Sequence, residues 1–478
     1  MSSALATQPE PAPVAKSSQP RLTNNALLAG AGAILLLGPL AFGAVEPWSI
    51  FALESCAMLL LAVWASRQWI NRELNVSDNV LYRPMAAFFA LVLVQWSFGI
   101  TAYRHVTYSR LLLYAAYGML AFVVTQTLRR SSQFEMLAKV FTGYGALVAA
   151  FAVLQGLSPN GKLYWISAPE QGGSIYGPYV NHNHYAGLME MLTPFPLVLA
   201  TTYLTSGNRK IAVAGIGALM AASIFLSGSR GGMAAFAAQM VVLSVLLVRK
   251  RDDGWKQPLM LGGFLAVVIV FLIWIGGNEL TRRLISIHSE AREEINGGVR
   301  LTIDRDCLRM LIKKPFLGWG LGTFPIVYPE FRSFYTNFFV NQAHNDYLQL
   351  LVETGLAGFS IAVWFLVLVF RQAAGKLKNW TETASGAMTV AALLRLYRDP
   401  GRQLSRFQSA DPGKRCAVLR SLRDRRLRPA TGIAASPRGS PAQFGRGTQP
   451  GNRGIVIDIR VTACQSNDLP TPHLLLIL

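Results

Sequence analysis

The imidazole of His344 can accept a proton from an attacking hydroxyl near neutral pH, which no arginine can do. It stands in Ala343-His344-Asn345-Asp346-Tyr347, at the mouth of a long apolar run. Asp346, or better Asn345, is placed to orient the ring or a substrate, and Glu353 lies about two turns deeper. An ionisable group at that depth is functional by default or paired structurally. A histidine satisfied by hydrogen bonds at a membrane interface is the plainer account of His344.

Arginines supply the complementary chemistry. Arg230 lies in Ser227-Gly228-Ser229-Arg230-Gly231-Gly232, whose small residues let a ligand approach the backbone closely. The helix expected to start there offers unpaired N–H groups and a positive dipole end suited to phosphate. Arg300, Arg305 and Arg309 fall within 299–314, the last two spaced to share one helical face. Guanidinium groups bind phosphate oxygens bidentately and stay charged, so several of them can replace a metal ion at a diphosphate. A snorkelling helix-end arginine and ordinary surface charges explain the same residues without a ligand.

Asn181-His182-Asn183-His184 opens another apolar run. Asn181 and Asn183 read as amides that contact a sugar or the backbone, or as helix caps, with His184 beside them as a substrate-orienting candidate. His182 and His184 have zinc-ligand character, but no Cys or carboxylate comes after them at fitting spacing, so no metal is expected. Asp304-Arg305-Asp306 looks like the metal-binding Asp-x-Asp of nucleotide-sugar transferases, yet residues i and i+2 of a helix diverge by roughly 200°. Gly318-Trp319-Gly320-Leu321-Gly322 comes after no strand and so is no dinucleotide fingerprint. No cofactor is expected.

The elements that must gather these groups are membrane spans. Of the 478 residues, 52% are hydrophobic and 15% charged, with mean hydropathy +0.33, more apolar mass than a soluble core can hide. Ten apolar runs stand out at 25–45, 49–70, 84–101, 108–128, 136–157, 184–205, 211–227, 231–248, 257–276 and 346–370. Runs of about 20 residues cross a hydrocarbon core of about 30 Å, and lipid leaves them no option but helix. The expected fold is all-α, a polytopic transmembrane bundle with a long outer loop carrying an amphipathic helix. In that helix Leu301, Leu308, Leu311 and Ile312 recur at helical spacing, Pro315 stops it, and it is expected to lie on the membrane's outer face.

Loop charge sets the orientation. With the N-terminus inside, the inner segments collect 17 basic residues and the short outer ones only Arg104, Lys162 and Arg230. The first 24 residues read as a disordered cytoplasmic segment, and the first apolar run as a retained anchor. Residues 25–276 hold nine spans, 277–345 a long periplasmic loop, 346–370 the tenth span, and 371–478 a basic region. The formal charge of +20 suggests nucleic acid until its placement is considered. Residues 379–478 carry 14 Arg and 1 Lys against six acids, and the rest sits largely in topology-setting loops, so no nucleic acid is expected. A last apolar run begins at 385–394 and stops, and 395–478 reads as a disordered tail or as a shifted reading frame. Four cysteines form no disulfide framework.

Taken together, 180–360 resembles the O-antigen ligase/polymerase superfamily of bacterial envelope glycan enzymes. The likeness rests on Asn181–Glu190, Ser227–Gly232, Arg300–Gly322 with Lys314-Pro315-Phe316-Leu317-Gly318-Trp319-Gly320, and His344-Asn345-Asp346-Tyr347-Leu348-Gln349-Leu350 with Glu353-Thr354-Gly355. It implies a GT-C-like enzyme at the periplasmic leaflet of the inner membrane. Such relatives move a glycan from an undecaprenyl-diphosphate carrier to a hydroxyl on lipid A core, a growing glycan or a protein, without nucleotide or metal. Carried over, Arg230 and Arg300 hold the diphosphate and His344 activates the acceptor, while Arg305 is the further diphosphate candidate that its spacing from Arg309 offers. Members usually have more spans than the ten counted here. Two alternatives stay open at this point, a small-anion transporter of the same superfamily and an inactive truncated relative.

Overall fold

A computed structural model describes residues 19–40, 46–72, 74–167, 175–248, 262–266, 268–270, 299–335, 340–343, 345–377 and 380–396. Among these, regular structure is helical apart from two isolated β-bridges, Leu163 with Ser167 and Tyr176 with Tyr179. The first half runs α1 (Gln19–Leu40), α2 (Pro47–Ile70), α3 (Tyr82–Ser97), α4 (Arg104–Thr127) and α5 (Ser131–Leu157). It continues with α6 (His182–Leu192), α7 (Pro194–Thr201), α8 (Asn208–Leu226) and α9 (Arg230–Val248). Then come α10 (Val299–Lys313), α11 (Phe324–Val327), α12 (Asp346–Leu377) and α13 (Ala384–Leu396).

Six of these helices are long and apolar enough to cross a membrane: α2, α4, α5, α8, α9 and α12. Shorter apolar helices cover Asn24–Leu40 and Ala384–Leu394. The chain is a multi-pass, all-helical membrane protein. Its interior is close-packed by small residues: α8 presents Gly217, Ala218, Ala221 and Ala222 inward, so α5 and α7 lie close against it. Phe141, Tyr185, Met189, Phe195 and Met220 fill the same core.

Two departures from the sequence reading have local causes. The run 184–205 is two helices, because Pro194 and Pro196 remove backbone donors. Thr193 closes the break by donating its hydroxyl to Met189 O at 2.7 Å. The run 346–370 extends to Leu377 and is interrupted at Gly355, whose φ of 65° is outside the helical region. Of 257–276 only 262–266 and 268–270, both helical, are described. The apolar run read at 385–394 is a helix, α13, which buries Ala387, Val390, Ala391 and Leu394 against α5 and α7.

The amphipathic segment is a helix, α10, and a second apolar face of it packs inward. Ile303, Cys307 and Met310 are fully buried, whereas Leu301, Leu308 and Ile312 are exposed. Both stripes have helical period, and α10 rests on α12 through the first.

Candidate functional site

Two polar clusters form at helix ends. The first joins the end of α3, the start of α4, the loop 314–324 and the start of α12. Gly318, Gly320 and Gly322 take φ of 67°, 109° and 81°, a left-handed succession that folds the loop tightly. The turn is clasped from both sides. Ala102 donates its N–H to Trp319 O at 2.7 Å, and Thr107 Oγ1 donates to Leu321 O at 3.2 Å. On the α12 side, Trp319 N donates to Val352 O at 3.0 Å and Gly320 N to Glu353 O at 2.8 Å. Gln95, fully buried in α3, donates Nε2 to the carbonyls of Leu317 at 2.5 Å and Glu353 at 2.9 Å.

Glu353 is the hub. Its carboxylate accepts from Gly322 N at 2.7 Å, Phe324 N at 3.4 Å and Gln349 Nε2 at 3.1 Å. Gln349 in turn accepts from Ala343 N at 3.1 Å, which fixes the residue immediately before His344. Asn345 caps α12, accepting Leu348 N on its side chain at 3.3 Å, and Asp346 supplies the acid that a helix's first turn favours. The Tyr114 hydroxyl on α4 lies within electrostatic reach of Glu353, Arg110 and Asp346 together. His344 itself lies outside the described residues.

The second cluster joins the starts of α6 and α9 to the end of α8. Asn181 caps α6, its side chain accepting Asn183 N at 2.9 Å. Buried Asn183 accepts the Ser229 hydroxyl at 2.7 Å, so two motifs 46 residues apart meet directly. Ser229 Oγ also accepts Gly232 N at 3.2 Å, capping α9. Arg230, half-buried, is the first residue of α9 and stands next to this bond. His184 stacks on Tyr179 with ring centroids 6.2 Å apart.

Residues 215–363, about a third of the chain, match the O-antigen ligase family. This segment is an O-antigen ligase domain. The match makes this part of the chain similar to the O-antigen ligase/polymerase superfamily, whose members are glycosyltransferase-like ligases and polymerases. A search of curated proteins returned no match.

The ligase domain runs from α8 into α12, so it contains Ser229, Arg230, the glycine loop and Glu353. The clasp residue Gln95, Arg110 close to Gly322, and the cap residues Asn181 and Asn183 precede it in the chain and complete both clusters. Within the domain, α10 buries Asp306, whose carboxylate accepts from Arg309 at 3.0 Å, Tyr328 Oη at 3.2 Å and Ser333 N at 3.0 Å. Asp304 and Asp306 therefore point apart, as their i, i+2 spacing requires. Burial pushes the Cys307 thiol up to about 12, with the Asp304 and Asp306 carboxylates adding to it. Burial and neighbouring Asp306 likewise hold the Tyr328 hydroxyl well above its ordinary range. Both groups stay protonated at neutral pH and serve packing.

Arg305 is exposed on the face of α10 opposite Ile303 and Met310. The backbone of Arg300 belongs to the first turn of α10, and its side chain lies outside the described residues. Gln95 and Arg110 escaped the sequence reading, and Gln349 entered it only within a longer motif. Polar residues inside apolar runs were the signal that marked them.

The Ser229–Asn183 bond gives a direct test of the second cluster. Ser229→Ala removes the donor that buried Asn183 uses and the acceptor for Gly232 N. The expected loss is about 1–3 kcal/mol, read as a lowered thermal midpoint of the purified protein. In a double-mutant cycle Asn183→Ala should couple to Ser229→Ala rather than add to it.

Proposed function

We propose that this protein transfers a glycan from an undecaprenyl-diphosphate carrier to an acceptor hydroxyl at the periplasmic face of the bacterial inner membrane. The acceptor is lipid A core, a growing glycan or a protein. The N-terminus lies in the cytoplasm. The observation that carries the reading is an O-antigen ligase domain that holds Arg230 beside a buried Ser229–Asn183 bond.

A polyprenyl diphosphate is already a good leaving group, so catalysis reduces to neutralising charge and positioning the acceptor. The acceptor oxygen attacks the anomeric carbon while its proton passes to the His344 imidazole. The bond from that carbon to the phosphate oxygen breaks, and its electron pair leaves with the diphosphate. Arg230, Arg300 and Arg305 take up the charge that develops there, in place of a metal. Attack from the face opposite the leaving group inverts the anomeric centre. Asn181, Asn183, His184, Asn345 and Asp346 orient donor and acceptor.

An anion carrier would need a solute site at a mid-membrane helix break. The α6–α7 break is flanked by Leu192 and Phe195, both fully buried.

The test is glycan transfer in proteoliposomes by wild type, His344→Ala and Arg230→Lys, with insertion verified. His344→Ala is expected to lose about 10²–10⁴-fold in rate, the range of a general base. Arg230→Lys keeps the charge but loses the bidentate fork, and should raise KM for the donor. Undiminished transfer by correctly inserted His344→Ala would remove the base assignment.

A further inference from the structure

We propose that the turn 163–167 is a membrane-interface anchor, which seats Trp165 and Ile166 among the headgroups of the phospholipid bilayer at the level where α1 and α5 end.

The turn is short and strained. Leu163 N donates to Ser167 O at 2.7 Å and Ile166 N donates to Leu163 O at 3.1 Å, so Tyr164 and Trp165 are its two central residues. Both take positive φ, 54° and 62°. Turns of this kind usually place Asn and Gly there, because left-handed geometry crowds any residue with a bulky side chain. Such a conformation persists only where its surroundings over-determine it, and it marks a segment with a task.

Both central rings are tied to helix ends. Tyr164 Oη donates to Leu40 O, the last carbonyl of α1, at 2.6 Å. Trp165 Nε1 donates at 2.9 Å to the carbonyl of Ser158, the residue that closes α5. Carbonyls at a helix end lack a partner within their own helix, so the two ring tips supply donors where they are needed. Asn160 Nδ2 holds the turn from behind, donating to Trp165 O at 3.0 Å. Phe151 of α5 meets both rings, with centroids 5.4 Å from Tyr164 and 5.6 Å from Trp165, and Leu163 is buried beneath.

Outward, the turn presents apolar surface. Ile166 is 82% exposed and Trp165 37%. Leu147, Leu154 and Leu157 stand exposed along α5, which is long and apolar enough to cross a membrane, and Leu37 and Leu40 stand exposed at the end of α1. The turn therefore adjoins the lipid-exposed ends of two helices. A bonded polar tip on an apolar ring is the property that draws Trp and Tyr to membrane–water interfaces. A sugar ring can stack on an exposed indole, but Ile166, the more exposed of the two, has no polar side-chain group to meet a sugar hydroxyl.

The test uses the full-length protein in phosphatidylcholine nanodiscs, with its ten tryptophans as fluorotryptophan. The fluorine resonance missing from Trp165→Phe belongs to Trp165. A phospholipid spin-labelled at its headgroup should broaden that resonance more than one labelled at the acyl-chain end, and more than a water-soluble gadolinium chelate. Strongest broadening by the chelate would mean a water-facing surface, such as a glycan platform, and overturns the proposal. Strongest broadening by the chain-end label, or none by any of the three, also overturns it. Ile166→Asp gives a second measurement that needs no tryptophan assignment. So exposed a side chain tolerates the change in water, whereas an anchored one should lower the thermal midpoint in nanodiscs. An unchanged midpoint in the inserted variant overturns the proposal, and Ile166→Ser carries the comparison if Ile166→Asp does not insert. Either result leaves the transfer reading where it stood.

Discussion

Glu353→Ala is expected to destabilise the protein by about 3–5 kcal/mol and to abolish transfer. The carboxylate is 4% exposed and accepts from Gly322 N, Phe324 N and Gln349 Nε2. Truncation leaves three donors facing an apolar cavity, and each unmet donor costs about 1–3 kcal/mol. Gln349 also loses the partner that orients it toward Ala343, so the residues ahead of His344 lose their anchor. Glu353→Gln retains the size and one acceptor oxygen but turns an amide N–H₂ toward a donor. It should cost less, about 1–3 kcal/mol. Thermal unfolding of the purified variants measures the first effect, and hydrogen exchange at the Gly322 and Phe324 amides measures the second. A Glu353→Ala protein with unchanged midpoint and protected amides would show that the hub is dispensable.

The sequence carried the helices well where one physical rule dominated. Length and lipid solvation fix α2, α4, α5, α8 and α9 within a few residues of their apolar runs. Asn181 as the cap of α6 was readable because its short amide reaches a free N–H locally. Where two readings satisfy the same period, tertiary contact decides. Leu301, Leu308 and Ile312 make as good an apolar stripe as Ile303, Cys307 and Met310, and only the second faces α12. The Ser229–Asn183 bond joins residues far apart in sequence, so no local pattern announces it. Arg110 was absorbed into an apolar run, although a charge there is itself a signal. The glycine spacing of 318–322 was visible in the sequence, while its docking partner was not.

That partner gives the second large effect, because Gly318 and Gly355 touch backbone to backbone. Gly355→Ala places an L-residue at φ 65° and drives its Cβ into the carbonyl of Phe316. Gly318→Ala does the same at φ 67°, with Cβ 2.5 Å from the Glu353 carbonyl carbon. Left-handed geometry alone costs roughly 1–2 kcal/mol per residue. The overlaps add to this, since no flexible side-chain end can swing away and whole segments must part. Each variant is expected to lose about 3 kcal/mol or more, together with the bonds from Trp319 N and Gly320 N to α12. Because both substitutions pry open the same approach, the double variant should cost less than the sum of the two. Gly143→Ala in α5 is the control: it meets nothing within 4 Å, and alanine favours helix over glycine by about 1 kcal/mol. Thermal midpoints of the four variants decide the matter, and a Gly355→Ala protein as stable as Gly143→Ala would mean that loop and kink are not clamped together.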